Sequence, residues 1–275
     1  MKSRLLVAAV GVPLILIIML WAPVWVLAVM LAALAVIAAD ELMKCVGAGQ
    51  EKPLLFLAVA GEVLFIAREF FVFSENTALR WSTTFFPLVL VLLTVLIFAY
   101  AVYRGGEVKF AQLCGALFSL YAIPYAFSAF LRLYIYGYHR AFLLLPLIFS
   151  FCSDTFAFFA GLTLGKHKLA PKVSPKKTVE GSIGGLLGNM AGGVVFAWVM
   201  NTWFGYDLDW VGMAVLGLGC SVVAQLGDLS FSLIKREFGI KDYGKLFLAH
   251  GGVLDRFDSV LFVAPTLALL MPWLM

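Results

Sequence analysis

Two apolar segments enclose one charged segment near the end of the chain. The apolar segments are MAVLGLGCSVV at residues 213–223 and VLFVAPTLALLMPWLM at residues 260–275, and the charged segment is SLIKREFGIKDYGKLFLAHGGVLDRFD at residues 232–258. Such apolar runs are typical of membrane helices, so the charges are expected at a membrane edge or just inside it. Ionisable residues are costly there and usually mark a functional site. The charged segment is therefore the first candidate for a functional site.

The composition of the whole chain predicts a polytopic membrane protein. Of its 275 residues, 63% are hydrophobic and only 13% are charged, whereas about a quarter of the residues in a soluble domain are charged. With so few polar groups, the chain could not cover a surface that faces water. We expect one all-α transmembrane domain over residues 1–275, with a catalytic half at about 150–275 and scaffold helices at about 1–135.

The apolar runs set the expected number of helices. A helix needs about 20 apolar residues to cross a bilayer, so the first two runs are marginal. They are expected as two short helices, two spans with blurred ends, or one re-entrant hairpin. We therefore predict about nine transmembrane helices. The runs fall at residues 5–20, 24–39, 53–73, 84–103, 110–134, 140–163, 183–204, 209–233 and 253–274.

Basic residues indicate the orientation. With nine spans, the lysine-rich segments after the second, fourth, sixth and eighth runs lie on the same side as Lys2 and Arg4. Cytoplasmic loops are rich in Lys and Arg, so the N-terminus and the candidate site are predicted to face the cytoplasm from the inner (plasma) membrane. The first run is expected as an uncleaved helix. The net charge of +4 suits an anionic leaflet or anionic substrates, and nucleic acid is not an expected partner.

The eighth apolar run carries one continuous polar stripe. Steps of four, three, four and three residues place its polar side chains on one helix face. For Ser221 and Gln225, hydrogen bonding between helices is the favoured interpretation. The carboxylate of Asp228 needs a cation, a proton or water at that depth, and a metal or a lysine is the favoured partner. The stripe consists of Ser221, Gln225, Asp228, Ser232 and Lys235.

Carboxylates from two further runs are expected on the same side of the membrane. Asp255 and Asp258 are three residues apart at the start of the ninth run, which predicts neighbouring positions on one helix face. Asp154 follows Ser150 and Ser153 at helical spacing in the sixth run. Oxygen ligands without a His or Cys set suit Mg²⁺ or Mn²⁺ rather than zinc.

The loop before the seventh run is the second unusual segment. Its tighter part, SPKKTVEGS at residues 174–182, combines cationic and hydroxyl donors with a glycine just before a helix. Such a combination can bind phosphates through backbone N–H groups and the helix N-terminus. The glycines that follow, from Gly184 to Gly193, are interpreted as a helix-packing stripe rather than as chemistry.

These motifs together resemble one known family. Ser232-x-x-Lys-Arg-x4-Lys-Asp-x-Gly-x5-His-Gly-Gly-x2-Asp-Arg-x-Asp258 is similar to the signature of phosphatidate cytidylyltransferases (CDP-diacylglycerol synthases). Ser174-Pro-Lys-Lys-Thr-x-Glu-Gly181 and Ser153-Asp154-Thr-x-Ala157 also resemble family segments. Where the family usually has a Pro-Gly pair or a similar turn before the histidine, this chain has Leu248-Ala249. The resemblance covers the chain from about residue 150 onward.

The resemblance implies a reaction and roles for individual residues. CTP and phosphatidic acid would give CDP-diacylglycerol and pyrophosphate, with Mg²⁺ required, a second cation as an open alternative, and a homodimer in the bilayer as the expected assembly. We hypothesise that Asp228 and Asp255 bind the metal, with Asp258 as a third ligand or a more distant one. Lys235, Lys241 and Arg256 would hold phosphates at the reacting centre. The residues expected to bind substrate are Ser174, Lys176, Lys177, Thr178, Ser232, Arg236, His250, Gly251, Gly252 and Asp154.

Three alternatives remain at this point. Another CTP-using membrane enzyme, such as a polyprenol kinase or a CDP-archaeol synthase, would share part of the signature. An ion-coupled transporter would use intramembrane carboxylates, although no repeat relates the two halves of the chain and the charges cluster at one membrane face. An intramembrane aspartyl protease would need two facing aspartates but would give the adjoining lysines no role.

Overall fold

The computed structural model describes residues 11, 13–72, 84–135, 139–246 and 251–273. The chain divides into two compact units. Unit 1 consists of Met1–Arg140 and Phe238–Arg256, and unit 2 consists of Ala141–Glu237 and Phe257–Met275. The interpretation of residues 1–275 as one domain stays a prediction.

The described residues are mostly helical, since apolar segments in a bilayer must satisfy their backbone groups internally. Residues 13–20 are helical, and 3₁₀ turns lie at Arg140–Leu144 and Met271–Trp273. The principal elements are α1 (Val24–Cys45), α2 (Lys52–Phe71), α3 (Phe86–Tyr103), α4 (Phe110–Ile135), α5 (Leu145–Leu164), β1 (Lys168–Ala170), β2 (Ser174–Thr178), α6 (Val179–Phe204), α7 (Trp210–Glu237), α8 (Leu254–Phe257) and α9 (Val260–Leu270).

In unit 1, α1 packs against α2 and α4, and α2 also packs against α3. Gly61 permits the close approach of α2 to α4, because a methyl group there would overlap Leu120. Glu69 accepts hydrogen bonds from Arg68 at 2.6 Å and from Arg132 at 3.3 Å. Arg68, Glu69 and Arg132 therefore form an ion-paired cluster within unit 1.

In unit 2, α5, α6, α7 and α9 pack together, and the closest approaches involve the glycines of α6. Gly184 and Gly188 face α5, where a methyl group would overlap Ala160 and Phe156 respectively. Gly193 faces the backbone carbonyl of Met213 on α7. These contacts confirm that the glycine stripe serves packing, since small residues let membrane helices approach closely.

The two adjacent glycines of α6 allow a matched test of this packing. In Gly193→Ala, the added methyl group would overlap the Met213 carbonyl, so the backbones of α6 and α7 must separate. We expect a loss of about 1–3 kcal/mol, the usual cost of overpacking a filled core, and a lower midpoint of thermal unfolding in detergent. In the control Gly192→Ala, the nearest atom is Cys152 Sγ at 3.6 Å, an ordinary contact. Equal midpoints for the two variants would contradict this packing.

Six helices of the described residues are long and apolar enough to cross a membrane, which agrees with the predicted polytopic helical fold. They are Val24–Cys45, Phe86–Tyr103, Phe110–Ile135, Arg140–Leu164, Val179–Phe204 and Trp210–Glu237. Residues 5–10 and 12 of the first apolar run lie outside the described residues. The count of about nine spans and the cytoplasmic N-terminus therefore stay predictions.

Two features differ from the sequence-based expectation. The fold is not purely α-helical, because β1 and β2 pair as an antiparallel hairpin. The ninth run is not one helix: α8 ends at Phe257, Asp258 and Ser259 form a turn, and α9 follows. The Asp258 carboxylate accepts the Ser259 N–H at 2.7 Å, a local bond that competes with helix continuation. Asp255 and Asp258 consequently do not share one continuous helix face.

Candidate functional site

Unit 2 contains a cavity of about 560 Å³ between the C-terminal halves of α5 and α7 and the start of α6. The hairpin strand β2 supplies cationic and hydroxyl groups to it, and α5 and α7 each supply a carboxylate. The cavity thus joins the SPKKT motif of β2 to the polar stripe of α7, more than 40 residues later in the chain. The lining residues are Asp154, Ala157, Phe158, Gly161, Leu162, Leu169, Lys176, Lys177, Thr178, Gly181, Ser182, Gln225 and Asp228.

The hairpin gives the SPKKT motif a defined backbone. Lys168 pairs with Thr178 and Ala170 with Ser174 in the antiparallel register. Glu180 closes the base of the hairpin, because its carboxylate accepts the N–H of Lys166 at 3.0 Å and lies 2.6 Å from His167 Nδ1. The segment that the sequence suggested as a loop is therefore an ordered strand that leads directly into α6.

Thr178 marks the junction between strand and helix. Its hydroxyl accepts the N–H of Gly181 at 3.1 Å, the usual bond of a helix N-cap. Gly161 and Gly165 of the neighbouring segment leave room for the Thr178 side chain, since a methyl group at either position would lie 3.0 Å or less from one of its atoms. The predicted substrate-binding role of Thr178 thus coincides with a structural one.

Asp228 is paired with Lys177. The Lys177 ammonium forms an ion pair with Asp228 Oδ2, and Ser232 Oγ lies 3.4 Å from Oδ1. The partner is therefore a lysine, one of the two that the sequence favoured for this carboxylate. Asp154 lines the same cavity from α5. A lysine of the SPKKT motif and an aspartate of the polar stripe thus meet in one site.

A hydrogen-bonded network beside the cavity ties three helices together. Ser153 Oγ lies 2.8 Å from Ser221 Oγ, and Gln225 Nε2 donates to Ser221 Oγ at 3.2 Å. Ser182 Oγ donates to Gln225 Oε1 at 2.5 Å. This network confirms the interhelical interpretation of Ser221 and Gln225. Gln225 and Ser182 also line the cavity. The sequence placed Ser182 in the candidate phosphate-binding motif, but it did not reveal this role for Gln225, because glutamine commonly joins membrane helices.

Asp258 lies in the turn before α9, with 8% of its surface exposed, and Lys235 on α7 is equally buried. Burial raises the pKa of Asp258 above its usual range. The Asp228 carboxylate acts in the same direction, while the Ser259 amide and the Lys235 ammonium lower the pKa. Its role as a metal ligand stays a prediction.

The rest of the signature belongs to unit 1. Asp255 Oδ2 accepts the backbone N–H of Tyr243 at 2.7 Å and that of Gly252 at 2.9 Å. Lys241 and Arg256 are exposed. Their phosphate-binding roles, and the metal-binding role of Asp255, stay predictions. His250 and the Leu248-Ala249 pair lie outside the described residues.

Some predicted substrate-binding residues do not line the cavity. Ser174 lies at the start of β2, and Arg236 Nε donates to the Val173 carbonyl in the hairpin turn at 3.3 Å. Ser232 contacts the cavity only through Asp228, as far as the described residues show. Gly251 and Gly252 are in unit 1. The structure thus brings together the SPKKT motif, Asp154 and Asp228, and leaves the other assignments as predictions.

Comparisons with known proteins all show similarity to cytidylyltransferases. The sequence profile of the cytidylyltransferase family matches residues 2–274. The phosphatidate cytidylyltransferase of Bacillus subtilis (strain 168) is 35% identical over 187 residues, 66% of this chain and 65% of that protein. The protein of the same name in Staphylococcus saprophyticus is 30% identical over 185 residues, 66% of this chain and 68% of that protein. The one in Haemophilus influenzae is 36% identical over 129 residues, 46% of this chain and 45% of that protein. The matched segment thus spans slightly less than two thirds of the Bacillus subtilis protein.

Proposed function

Because the chain belongs to the cytidylyltransferase family, we propose that it transfers the cytidylyl group of CTP to phosphatidic acid, giving CDP-diacylglycerol and pyrophosphate. The similarity to phosphatidate cytidylyltransferases confirms the resemblance carried by the Ser232–Asp258 signature. The observation that supports the proposal best is the cavity of unit 2, which combines Lys176, Lys177 and Thr178 with the carboxylates of Asp154 and Asp228.

The proposed reaction needs electrostatic stabilisation rather than a protein nucleophile. A phosphate oxygen of phosphatidic acid, already anionic at neutral pH, attacks the α-phosphorus of CTP. A new P–O bond forms there, the bond to the bridging oxygen breaks, and pyrophosphate leaves with the electron pair. The main difficulty is to bring two polyanions together and to stabilise the charge that develops during transfer. Cations held in fixed positions orient the phosphates and stabilise this charge electrostatically.

The described residues suit the nucleotide side of this reaction. Lys177 and Lys176 can bind triphosphate oxygens, and the first turn of α6 presents its N-terminus to the cavity, where anionic groups are favoured. In this proposal the Lys177 ammonium, paired with Asp228 in the structure, contacts a phosphate when CTP binds. Hydrogen bonds join Ser182 to Gln225 and Ser221 to Ser153, and these bonds hold α5, α6 and α7 together beside the cavity.

We further propose Mg²⁺ as the cofactor, because the cavity fits a hard divalent cation. Asp228 and Asp154 supply oxygen ligands, and the ion pair with Lys177 indicates that the Asp228 position attracts positive charge. No set of three or more His, Cys, Asp or Glu side chains in the described part of the chain could hold a metal alone. Mg²⁺ typically takes one or two protein carboxylates and completes its shell with water and substrate phosphates. When bound, it would neutralise charge on the phosphates. Asp255, Asp258 and a second cation remain parts of this proposal.

The proposed location is the inner (plasma) membrane, with the cavity facing the cytoplasm. Lysines of the hairpin segment support this orientation, since basic loops remain on the cytoplasmic side. The acyl chains of the lipid would stay in the bilayer and enter between helices. A homodimer is the proposed assembly.

One assay tests the proposed function. Purified protein in detergent should release pyrophosphate from CTP only when phosphatidic acid is present, and magnesium should be required. An ion-coupled transporter would release none. Replacing phosphatidic acid by a polyprenol or by an ether-linked archaeal lipid tests the other CTP-using enzymes. Turnover with one of those lipids and none with phosphatidic acid would overturn the assignment.

A further inference from the structure

Glu41, near the C-terminal end of α1, contacts the signature segment within unit 1. Its carboxylate binds two consecutive backbone N–H groups: Oε1 accepts from Val253 and Oε2 from Leu254, each at 2.9 Å. Only 5% of the Glu41 surface is exposed. A buried carboxylate must have its oxygens hydrogen-bonded to be tolerated, and here both oxygens bind the same short segment.

Two glycines of the signature make room for this carboxylate. A methyl group at Gly244 or at Gly252 would overlap the Glu41 carboxylate. The φ angle of Gly252 lies outside the left-handed region, so its backbone would accept alanine. Contact with Glu41, rather than backbone conformation, therefore explains why a side chain is absent at residue 252.

The segment that Glu41 holds is continuous with predicted catalytic residues. Gly252 donates its N–H to Asp255 Oδ2 at 2.9 Å, and Tyr243 donates to the same oxygen at 2.7 Å. Asp255 and Arg256 directly follow the two amides that Glu41 binds. Glu41 and Asp255 thus fix the backbone of residues 251–255 from two sides.

We propose that Glu41 is a positioning residue: through the amides of Val253 and Leu254, it holds the signature segment in the conformation that presents Asp255 and Arg256. As a statement about catalysis, this rests on the proposed function. It gives α1, which the sequence suggested was only scaffold, a specific part in holding predicted catalytic residues of unit 1. The contact itself can be tested without any assay of turnover.

The test compares three variants of the full-length protein. Glu41→Ala removes both acceptors, Glu41→Gln keeps the shape and one carbonyl acceptor, and Asp40→Ala is the matched control. Asp40 is the neighbouring acid of α1 and pairs with Lys44 on the surface of the same helix. Hydrogen–deuterium exchange of the peptide covering residues 251–256 should be faster in Glu41→Ala than in wild type and unchanged in Asp40→Ala. Unchanged exchange in Glu41→Ala would overturn the contact.

Turnover then separates positioning from simple stability. In Glu41→Ala we expect kcat per folded molecule to fall about tenfold, the scale of a small misplacement of reacting groups. The KM for CTP should change little, and Glu41→Gln should restore part of kcat. Faster exchange with an unchanged kcat would overturn the positioning role. If wild type shows no turnover, the proposed function fails, whereas the exchange result still decides the contact.

A double-mutant cycle gives a second readout. Gly252→Ala alone should lower thermal stability, because its methyl group meets the Glu41 carboxylate. In the Glu41→Ala background, the three atoms nearest to that methyl group are absent, so the further decrease in the unfolding midpoint should be much smaller. Equal decreases in both backgrounds would contradict the packing of Glu41 against Gly252.

Discussion

Replacing Asp228 by asparagine is expected to lower the turnover number by roughly a hundredfold to a thousandfold, the effect of removing one preorganised electrostatic group from an active site. Asparagine keeps the size of the side chain but removes the charge that pairs with Lys177 and that would bind Mg²⁺. The measurement is the release of pyrophosphate from CTP in the presence of phosphatidic acid, with protein that elutes as a folded species in detergent.

Glu237→Gln is the matched control for that experiment. Glu237 is the last residue of α7, the same helix, and its side chain is exposed. Both substitutions replace a carboxylate by a carboxamide and change the net charge equally, so nonspecific electrostatic effects should be similar. Near-normal turnover in Asp228→Asn, with Glu237→Gln also active, would remove Asp228 from the proposed site.

Lys177→Met is expected to lower kcat/KM for CTP by about tenfold to a hundredfold, the usual range for losing a hydrogen bond to a charged group. Methionine keeps much of the aliphatic length but has no ammonium group to bind a phosphate. Lys172→Met is the control, because Lys172 is an exposed lysine in the turn of the same hairpin and does not line the cavity of the described residues. A similar loss in both variants would indicate a general effect of the basic hairpin.

The double variant Asp228→Asn/Lys177→Met extends this comparison. The two side chains form an ion pair, and residues in contact have non-additive effects on function and stability. We therefore expect the double variant to be less impaired than the product of the two single effects. Strictly multiplicative losses would mean that the two side chains act independently during turnover.

Much of unit 2 could be predicted from local patterns. The helical period of the polar stripe placed Ser221, Gln225 and Asp228 on one face, and the glycines of α6 indicated close packing. Both features follow from positions a few residues apart on one helix, where geometry is regular. The sequence favoured a metal ion or a lysine as the partner of Asp228, because a carboxylate at that depth needs a cation, a proton or water, and the partner found is a lysine.

Other features depend on contacts that no local pattern contains. Glu180 closes the hairpin by accepting the backbone N–H groups of Lys166 and His167, a contact that the composition of a basic loop does not reveal. The turn at Asp258 interrupts an otherwise apolar run through a single side-chain bond. The role of Glu41 was hidden for the same reason: an acid near the end of an apolar helix resembles an ordinary interfacial residue until its distant partners are known.

The hydrogen bond from Val253 to Glu41 joins residues 212 positions apart. Chains generally begin to fold from the N-terminus while the ribosome is still adding residues. Helix α1 is therefore synthesised long before Phe238–Arg256 has been translated. Until then, the Glu41 carboxylate lacks the backbone N–H groups of Val253 and Leu254 as hydrogen-bond donors. Unit 1 reaches its final state only after Val253 and Leu254 have been added to the chain. A nascent chain arrested before residue 253 would lack both donors and would leave the Glu41 carboxylate without these two hydrogen bonds.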